Sequence, residues 1–186
     1  MKSEIITLKF QGKMQKVQIL RFCASDKRKF RKIFKMWSKL NEEMEIIGKN
    51  RNVNIPESLT EGLFCLHTGS VRVVKVFGGK SSFDTIDLKT RKRQQIKASS
   101  SKGPTSFGPT SFWDRNELYW MDFFKNGKAD GEFDIYRIPD KFIYKTKVNK
   151  SQRLSEQQKQ FRRPRINFKK VIVDANKLKP IKSCKI

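Results

Sequence analysis

Residues 81–101 predict a β-hairpin, and its geometry decides which polar side chains can meet. The segment reads SSFDTIDLKTRKRQQIKASSS, in which an apolar run is followed by a polar turn at Thr90–Arg93 and by a second strand that carries Gln95, Ile96 and Lys97. In an antiparallel hairpin the start of one strand lies beside the end of the next, and successive side chains alternate between the two faces. Gln95 and Lys97 therefore share a face, and Ile96 points away from it.

Asp84 opens the first strand of this hairpin. A turn with an even number of residues places Asp84 on the face that carries Gln95 and Lys97. The hairpin would then bring together a carboxylate, an amide oxygen and an ammonium, which is the chemistry that Mg²⁺-assisted hydrolysis of a phosphodiester needs. If the metal site lies elsewhere, Asp87 is the next candidate carboxylate of this strand.

This arrangement resembles the active site of the PD-(D/E)xK nuclease superfamily, which includes most Type II restriction endonucleases. The family pattern is an Asp, a spacer, and (Asp/Glu)-x-Lys; Asp84 and Lys97 match it, Ser82–Phe83 replaces the Pro before the Asp, and Gln95 replaces the acid. The resemblance implies that Asp84, Gln95 and the main-chain carbonyl of Ile96 hold Mg²⁺. It also implies that Lys97 orients the attacking water and helps to deprotonate it.

The resemblance extends over most of residues 55–182. After the hairpin come a Gly/Pro/Ser loop, Trp-Asp, an apolar strand, a Gly/Asp-rich turn and a second strand, and the tail EQQKQFRRPRINFKKVIVDANKLKPI resembles the basic C-terminal segment of the small restriction endonuclease family that cuts GCNGC. It implies an α/β (α+β) fold with a restriction-endonuclease-like core, a mixed central sheet flanked by helices. It further implies cleavage of double-stranded DNA at a short palindrome by a homodimer that pairs functionally with a cognate DNA methyltransferase.

The charge of the chain favours a nucleic-acid partner. The net charge is +24 and the pI is near 10.2, which is typical of proteins that bind a polyanion. No apolar run approaches the ~18 residues of a membrane span and no signal-peptide pattern opens the chain, so we expect a cytoplasmic prokaryotic protein. Charge alone leaves two alternatives open: a non-catalytic nucleic-acid-binding protein, and a structure-selective nuclease such as a Holliday junction resolvase.

Cysteine and histidine offer little chemistry. Cys23, Cys65 and Cys184 are too few and too scattered for a zinc site, and they predict free thiols in a reducing compartment. The lone His67 cannot supply a metal cluster and has no Ser or Cys partner in a recognisable triad. Carboxylate, amide and lysine side chains remain as the catalytic set.

The hydrophobic pattern predicts a single nuclease domain over residues 1–186. Residues 1–54 should form an N-terminal hairpin and a basic helix, residues 55–139 the catalytic core, and residues 140–186 a basic segment that contacts DNA. In the core, a helix from Pro56 to Leu66 should precede a strand at Val71–Phe77. That helix carries Glu61, which the resemblance places at the metal; a solvent-exposed helix glutamate is the alternative.

Two segments carry candidate DNA contacts. Trp113, Asp114, Arg115 and Asn116 end a Gly/Pro/Ser/Thr loop and have the donors and acceptors that reading base edges requires. Arg162, Arg163 and Arg165 flank Pro164, which prevents helix continuation, and arginine can bridge phosphates or bind guanine bidentately. A helix cap or packed corner is the alternative for the first group, and a solvated basic loop for the second. A strand at Ile166–Val173 should follow.

Overall fold

The structure is a computed structural model that describes residues 1–10, 12–48, 53–78, 83–107 and 116–186, with the main chain alone described at Phe10, Asn116 and Lys145. The strands are β1 Lys2–Phe10, β2 Lys13–Arg21, β3 Val71–Val76, β4 Thr85–Asp87, β5 Lys92–Ser99, β6 Thr105–Ser106, β7 Asn116–Asp122, β8 Glu132–Ile138, β9 Arg165–Ile166 and β10 Lys182–Lys185. The helices are α1 Lys27–Gly48, α2 Glu57–Thr68, α3 Asp140–Lys145 and α4 Leu154–Lys159.

Within the described residues, eight strands form one mixed sheet in the order β1-β2-β3-β4-β5-β7-β8-β10. Neighbouring strands are antiparallel except for β5 and β7, which run parallel. β6 and β9 form a separate two-stranded ribbon. A mixed sheet flanked by helices confirms the predicted α+β, restriction-endonuclease-like fold class.

β7 shows why the sheet has to be covered on both faces. Leu118 and Trp120 are buried in one apolar cluster with residues from α3, α4 and the segment after β9, whereas Tyr119 and Met121 are buried in another with α1 and α2. Because successive side chains of a strand point to opposite faces, four consecutive apolar residues at 118–121 need a layer on each side of the sheet. Trp120 is 1% exposed, so its ring belongs to the core and is not a surface on which bases could stack.

The N-terminal hairpin β1–β2 was predicted, and the structure shows what it does. β2 pairs with β3, with Val17 opposite Val76 and Leu20 opposite Arg72. Val17 and Ile19 are fully buried against side chains of β3 and β4. The hairpin therefore extends the central sheet.

The predicted strand at Ile166–Val173 is wrong. Only Arg165–Ile166 is extended, and Lys169–Asp174 forms a π-helical segment. Ile172 and Val173 are both buried in the apolar cluster that contains Leu118 and Trp120 of β7, so packing against that face of the sheet overrides the β propensity of these residues. Nearby, α4 begins at Leu154, where Glu156 Oε2 accepts the Arg153 N–H at 2.6 Å and so satisfies an amide at the start of the helix.

Two further expectations concern thiols and membranes. Cys23, Cys65 and Cys184 are all free, as predicted, and the last two are buried. In the described ranges, no helix combines the length and apolar character that crossing a membrane requires.

Candidate active site

The β4–β5 hairpin sets the register of the predicted site. Thr85 lies opposite Gln94 and Asp87 opposite Lys92, across a four-residue turn at residues 88–91. The turn therefore falls two residues earlier than predicted, but its length is even. The same register places Asp84 opposite Gln95, and the Asp84 N–H donates to the Gln94 carbonyl at 2.9 Å.

Asp84 and Gln95 are in direct contact. Gln95 Nε2 donates a hydrogen bond of 2.8 Å to Asp84 Oδ2, and the Ile96 N–H donates to the same oxygen at 2.7 Å. Burial raises the pKa of the Asp84 carboxyl, and the Ile96 amide and the Lys97 ammonium partly offset that rise. The structure thus brings together the predicted carboxylate, amide and ammonium.

Glu61 reaches this cluster from α2. Arg72 Nε, on β3, donates to Glu61 Oε2 at 2.5 Å, and the Glu61 side chain is only 12% exposed. Burial raises the pKa of Glu61 to about 7, although Arg72 acts in the opposite direction, and the nearby charge of Asp84 raises it further. The alternative position of a solvent-exposed helix glutamate is therefore wrong, and Glu61 changes its charge near neutral pH.

A cleft of ≈ 690 Å³ covers these groups. Its lining includes Glu61, Asp84, Gln95 and Lys97. None of the ion pairs among the described residues involves Lys97, so its ammonium is available to a substrate. A larger groove of ≈ 1510 Å³ lies between α1 and the turn that joins β7 to β8, but the converging carboxylate, amide and lysine lie in the smaller cleft.

Of the three candidate arginines, Arg165 is the one that the structure brings to the cleft. The β6–β9 ribbon carries it there, because Arg165 pairs with Ser106 in the loop that forms one wall. Arg162 and Arg163 are exposed on the connection between α4 and β9 and do not line the cleft.

The other predicted residues differ in how much the structure says of them. Trp113, Asp114 and Arg115 lie outside the described residues, and Asn116 contributes only the main chain that pairs opposite Arg93 at the start of β7.

Asp87 is held in the hairpin turn, where it accepts hydrogen bonds of 2.9 Å from the Lys89 N–H and the Thr90 hydroxyl. Asp87, the alternative candidate for the metal carboxylate, therefore stabilises the turn and does not line the cleft.

The sequence analysis missed Glu57. It is the first residue of α2 and lines the same cleft as Glu61. Its charge adds to the rise in pKa of both Glu61 and Asp84. Residues four apart share a helix face, so this spacing could have identified Glu57 once Glu61 was placed at the site.

The donor set fits a hard cation that retains water. No group of three or more His, Cys, Asp or Glu side chains that could hold a metal occurs within the described residues, so a cation here also needs neutral oxygens. Asp84 supplies a carboxylate, and rotation of the Gln95 amide would present its oxygen in place of its nitrogen. Mg²⁺ commonly binds through one or two carboxylates and keeps several waters. These residues are compatible with that mode of coordination.

Comparison with known proteins gives one family. The family model described as Bsp6I restriction endonuclease matches residues 22–175, a span that contains every cleft residue discussed above. The curated Type II restriction enzyme Bsp6I of Bacillus sp. (strain RFL6) is 32% identical to this chain over 173 residues, which cover 86% of this chain and 90% of that protein. No solved structure matches the chain.

Proposed function

This chain belongs to the Bsp6I restriction endonuclease family and is a Type II site-specific deoxyribonuclease, and we propose that it uses Mg²⁺ in the cleft between α2 and the β4–β5 hairpin. The observation that carries the proposal is the contact of Asp84 with Gln95 and Ile96 beside Lys97. It resembles the PD-(D/E)xK arrangement, with an amide in place of the second acid. Residues 1–186 would act as one nuclease domain.

Asp84, the Gln95 amide oxygen and the main-chain carbonyl of Ile96 would hold the metal, with Glu61 as a further carboxylate. In a strand, the N–H and C=O of one residue point toward the same edge. Because the Ile96 N–H reaches Asp84, the Ile96 carbonyl is directed toward the same side. Glu61 can join only in its ionised form, and burial holds its pKa at about 7.

Lys97 would act on the attacking water. Lys97 lines the cleft and its charge lowers the pKa of Asp84, so its ammonium would donate a hydrogen bond to the water and favour the loss of a proton. Bound Mg²⁺ would stabilise the negative charge that develops on the phosphate.

The basic surface would hold the DNA. Arg165 lines the cleft, where it would contact a phosphate close to the bond that is cut. Arg162 and Arg163, together with Trp113, Asp114, Arg115 and Asn116, would contact the duplex farther from the reacting phosphate or read base edges. We propose a short palindrome as the target, with GCNGC as the sequence to test first.

One active site cuts one strand, and a palindromic duplex presents two related phosphates. A two-fold homodimer would match that symmetry. A cognate DNA methyltransferase would protect the host sequence, and both proteins would act in the prokaryotic cytoplasm. These partners follow from the proposed activity.

The deciding experiment is cleavage of long duplex DNA with and without Mg²⁺, with Lys97→Ala as the matched inactive variant. The proposal expects discrete fragments that require Mg²⁺ and that end at one sequence, and it expects DNA lacking GCNGC to stay intact if that is the target. Discrete fragments that end at another sequence would refute GCNGC as the target but would still support site-specific cleavage. Cutting of branched substrates alone, or equal cutting by the Lys97→Ala protein, would refute the proposed mechanism.

A further inference from the structure

Helix α1 leaves a row of apolar side chains uncovered. Phe30, Phe34 and Trp37 are buried in the core. Six other large apolar residues of the same helix are exposed. Ile46, at 77%, falls outside the spacing of the rest, which are Ile33 at 47%, Met36 at 63%, Leu40 at 53%, Met44 at 39% and Ile47 at 77%. We call these five residues the α1 stripe.

The spacing of the α1 stripe places it on one side of the helix. Its members follow one another at intervals of three, four, four and three residues, and side chains at such intervals are neighbours on a helix surface. Ile33, Leu40 and Ile47 repeat every seven residues, the period of helices that pack against a partner helix. Contiguous apolar surface of this kind marks an interaction site.

The α1 stripe is symmetric about Leu40. Met36 and Met44 lie four residues on either side of it, and Ile33 and Ile47 lie seven residues on either side. If two copies of α1 pack antiparallel with Leu40 against Leu40, each methionine meets a methionine and each isoleucine meets an isoleucine. A surface that is complementary to itself is what a two-fold interface requires.

The charges along α1 favour the same orientation. The half before Leu40 is basic, with Lys27, Arg28, Lys29, Arg31, Lys32, Lys35 and Lys39, whereas Glu42, Glu43 and Glu45 follow it. These charges lie outside the direct contact, since Glu42, Glu43 and Glu45 line the groove on the other flank of α1, but an antiparallel pair still brings the basic half of each helix near the acidic half of the other. A parallel pair would set like charges together, which weakens association.

We propose that a second copy of this chain docks on the α1 stripe, with its own α1 antiparallel and the two-fold axis at Leu40. The inference rests on the homodimer of the proposed function and assigns its interface. It also fixes the symmetry that relates the two clefts to the two phosphates of a palindrome.

Cross-linking tests the register and the orientation together. In a Cys23→Ser background, which removes the exposed native thiol, Leu40→Cys should give a covalent dimer with a short bis-maleimide. The matched control is Glu42→Cys, because Glu42 lines the groove on the other flank of α1 and should stay uncoupled. A mixture of Ile33→Cys and Ile47→Cys chains should couple to each other but neither should couple alone; coupling of each variant with itself would overturn the antiparallel orientation.

Sedimentation distinguishes a wrong interface from a wrong oligomeric state. Leu40→Glu should raise the dissociation constant of the dimer on the order of 100-fold, because two buried leucines are lost at the axis, and the exposed position keeps the monomer folded by circular dichroism. If the wild type is a dimer that Leu40→Glu leaves intact, and residue 40 gives no cross-link, the α1 stripe is not the interface but the homodimer itself stands. A wild-type monomer on its DNA would refute both, and the cleavage assay still tests the nuclease.

Discussion

The side-chain amide of Gln95 donates a 2.8 Å hydrogen bond to Asp84 Oδ2, the oxygen that the Ile96 N–H also reaches. An amide can make this bond, whereas a carboxylate at position 95 would set a second acceptor against the first. Gln95 thus orients Asp84 without adding charge to it. If the proposed Mg²⁺ site is correct, an amide at position 95 gives it less negative charge than a second carboxylate would.

The Mg²⁺ requirement of Gln95 variants tests this relationship. Gln95→Glu should lower the Mg²⁺ concentration for half-maximal cleavage roughly tenfold, because an added charge strengthens binding of a hard cation. Gln95→Ala should raise it by a similar factor. Titration of Mg²⁺ against initial rate measures both. An identical requirement in the two variants and the wild type would move the metal away from Gln95, with Glu57 and Glu61 as the next carboxylates of the cleft.

Lys97→Ala should separate catalysis from binding. Its ammonium lies in the cleft with Asp84, and loss of a group that assists proton transfer typically slows a reaction by about 10²- to 10⁴-fold. DNA affinity should change little, because most of the basic surface remains. Single-turnover cleavage at saturating DNA measures the rate. Lys102→Ala is the control, since Lys102 lines the same cleft and should leave that rate nearly intact; equal losses in both variants would assign Lys97 to binding.

The sequence predicted that Asp84 and Gln95 share a face of the hairpin, because strand alternation and an even turn length determine which side chains meet. Both features depend on local residues alone. The sequence did not predict the turn boundary, since Arg91 adopts a left-handed conformation with φ of 57°. It also did not predict that Arg165 reaches the cleft and Arg162 does not. That difference comes from the pairing of β9 with β6, a contact between segments far apart in sequence that no local pattern reports.

The same limit explains the α1 stripe. The apolar residues of α1 recur at helical spacing in the sequence, but that spacing does not indicate that Phe34 is buried and Leu40 exposed. Both residues satisfy a helical spacing. Which of them faces the core depends on where α2 and the sheet lie, and that is tertiary information.

The pH dependence of cleavage should report Glu61. Burial raises its pKa to about 7, so the carboxylate is increasingly protonated below that pH and the rate should fall as the pH drops through 7. Arg72 acts to lower this pKa, so Arg72→Ala should move the inflection to higher pH. Glu61→Gln should remove it. A pH–rate profile that keeps the same inflection in Glu61→Gln would assign it to another group.

The contribution of Glu61 to protein stability should fall as the pH rises, whereas the cleavage rate should increase. A carboxyl whose folded pKa is raised favours the folded state most at low pH, and that contribution is lost as the pH rises from about 4.5 through 7. The stability of the wild type relative to Glu61→Gln should therefore decline across this window. Urea denaturation at several pH values measures the difference, and a constant difference would place the Glu61 carboxyl in a solvated environment.

The salt dependence of DNA binding should distinguish the arginines. Each phosphate contact contributes about 0.9 to the slope of log affinity against log salt. Arg165→Ala should lower that slope by about one unit and slow cleavage, because Arg165 lines the cleft. Lys13→Ala, at an exposed position in the β1–β2 hairpin, is the control and should leave the slope unchanged. A slope that neither variant alters would exclude a phosphate contact by Arg165.

Gly62 tests how closely α2 must approach α1 for Glu57 and Glu61 to reach the cleft. A Cβ at this position would lie 2.5 Å from Phe30 Cε1 and 2.6 Å from Phe30 Cζ. Phe30 is 7% exposed and its ring packs edge-on against Phe22 at 5.1 Å, so the ring has little room to yield. Overpacking of this kind typically costs about 1–3 kcal/mol, whereas glycine to alanine in an unhindered helix gains roughly 1 kcal/mol.

Gly62→Ala should therefore lower the free energy of unfolding by up to about 2 kcal/mol, although alanine is the better helix former. Ser58→Ala, at an exposed position of the same helix, should be neutral or slightly stabilising because it meets no such contact. Because the clash displaces α2, the Mg²⁺ requirement for cleavage should also rise in Gly62→Ala. Chemical denaturation and Mg²⁺ titration measure the two effects. A Gly62→Ala protein that is more stable than the wild type would show that α1 and α2 are not packed this closely.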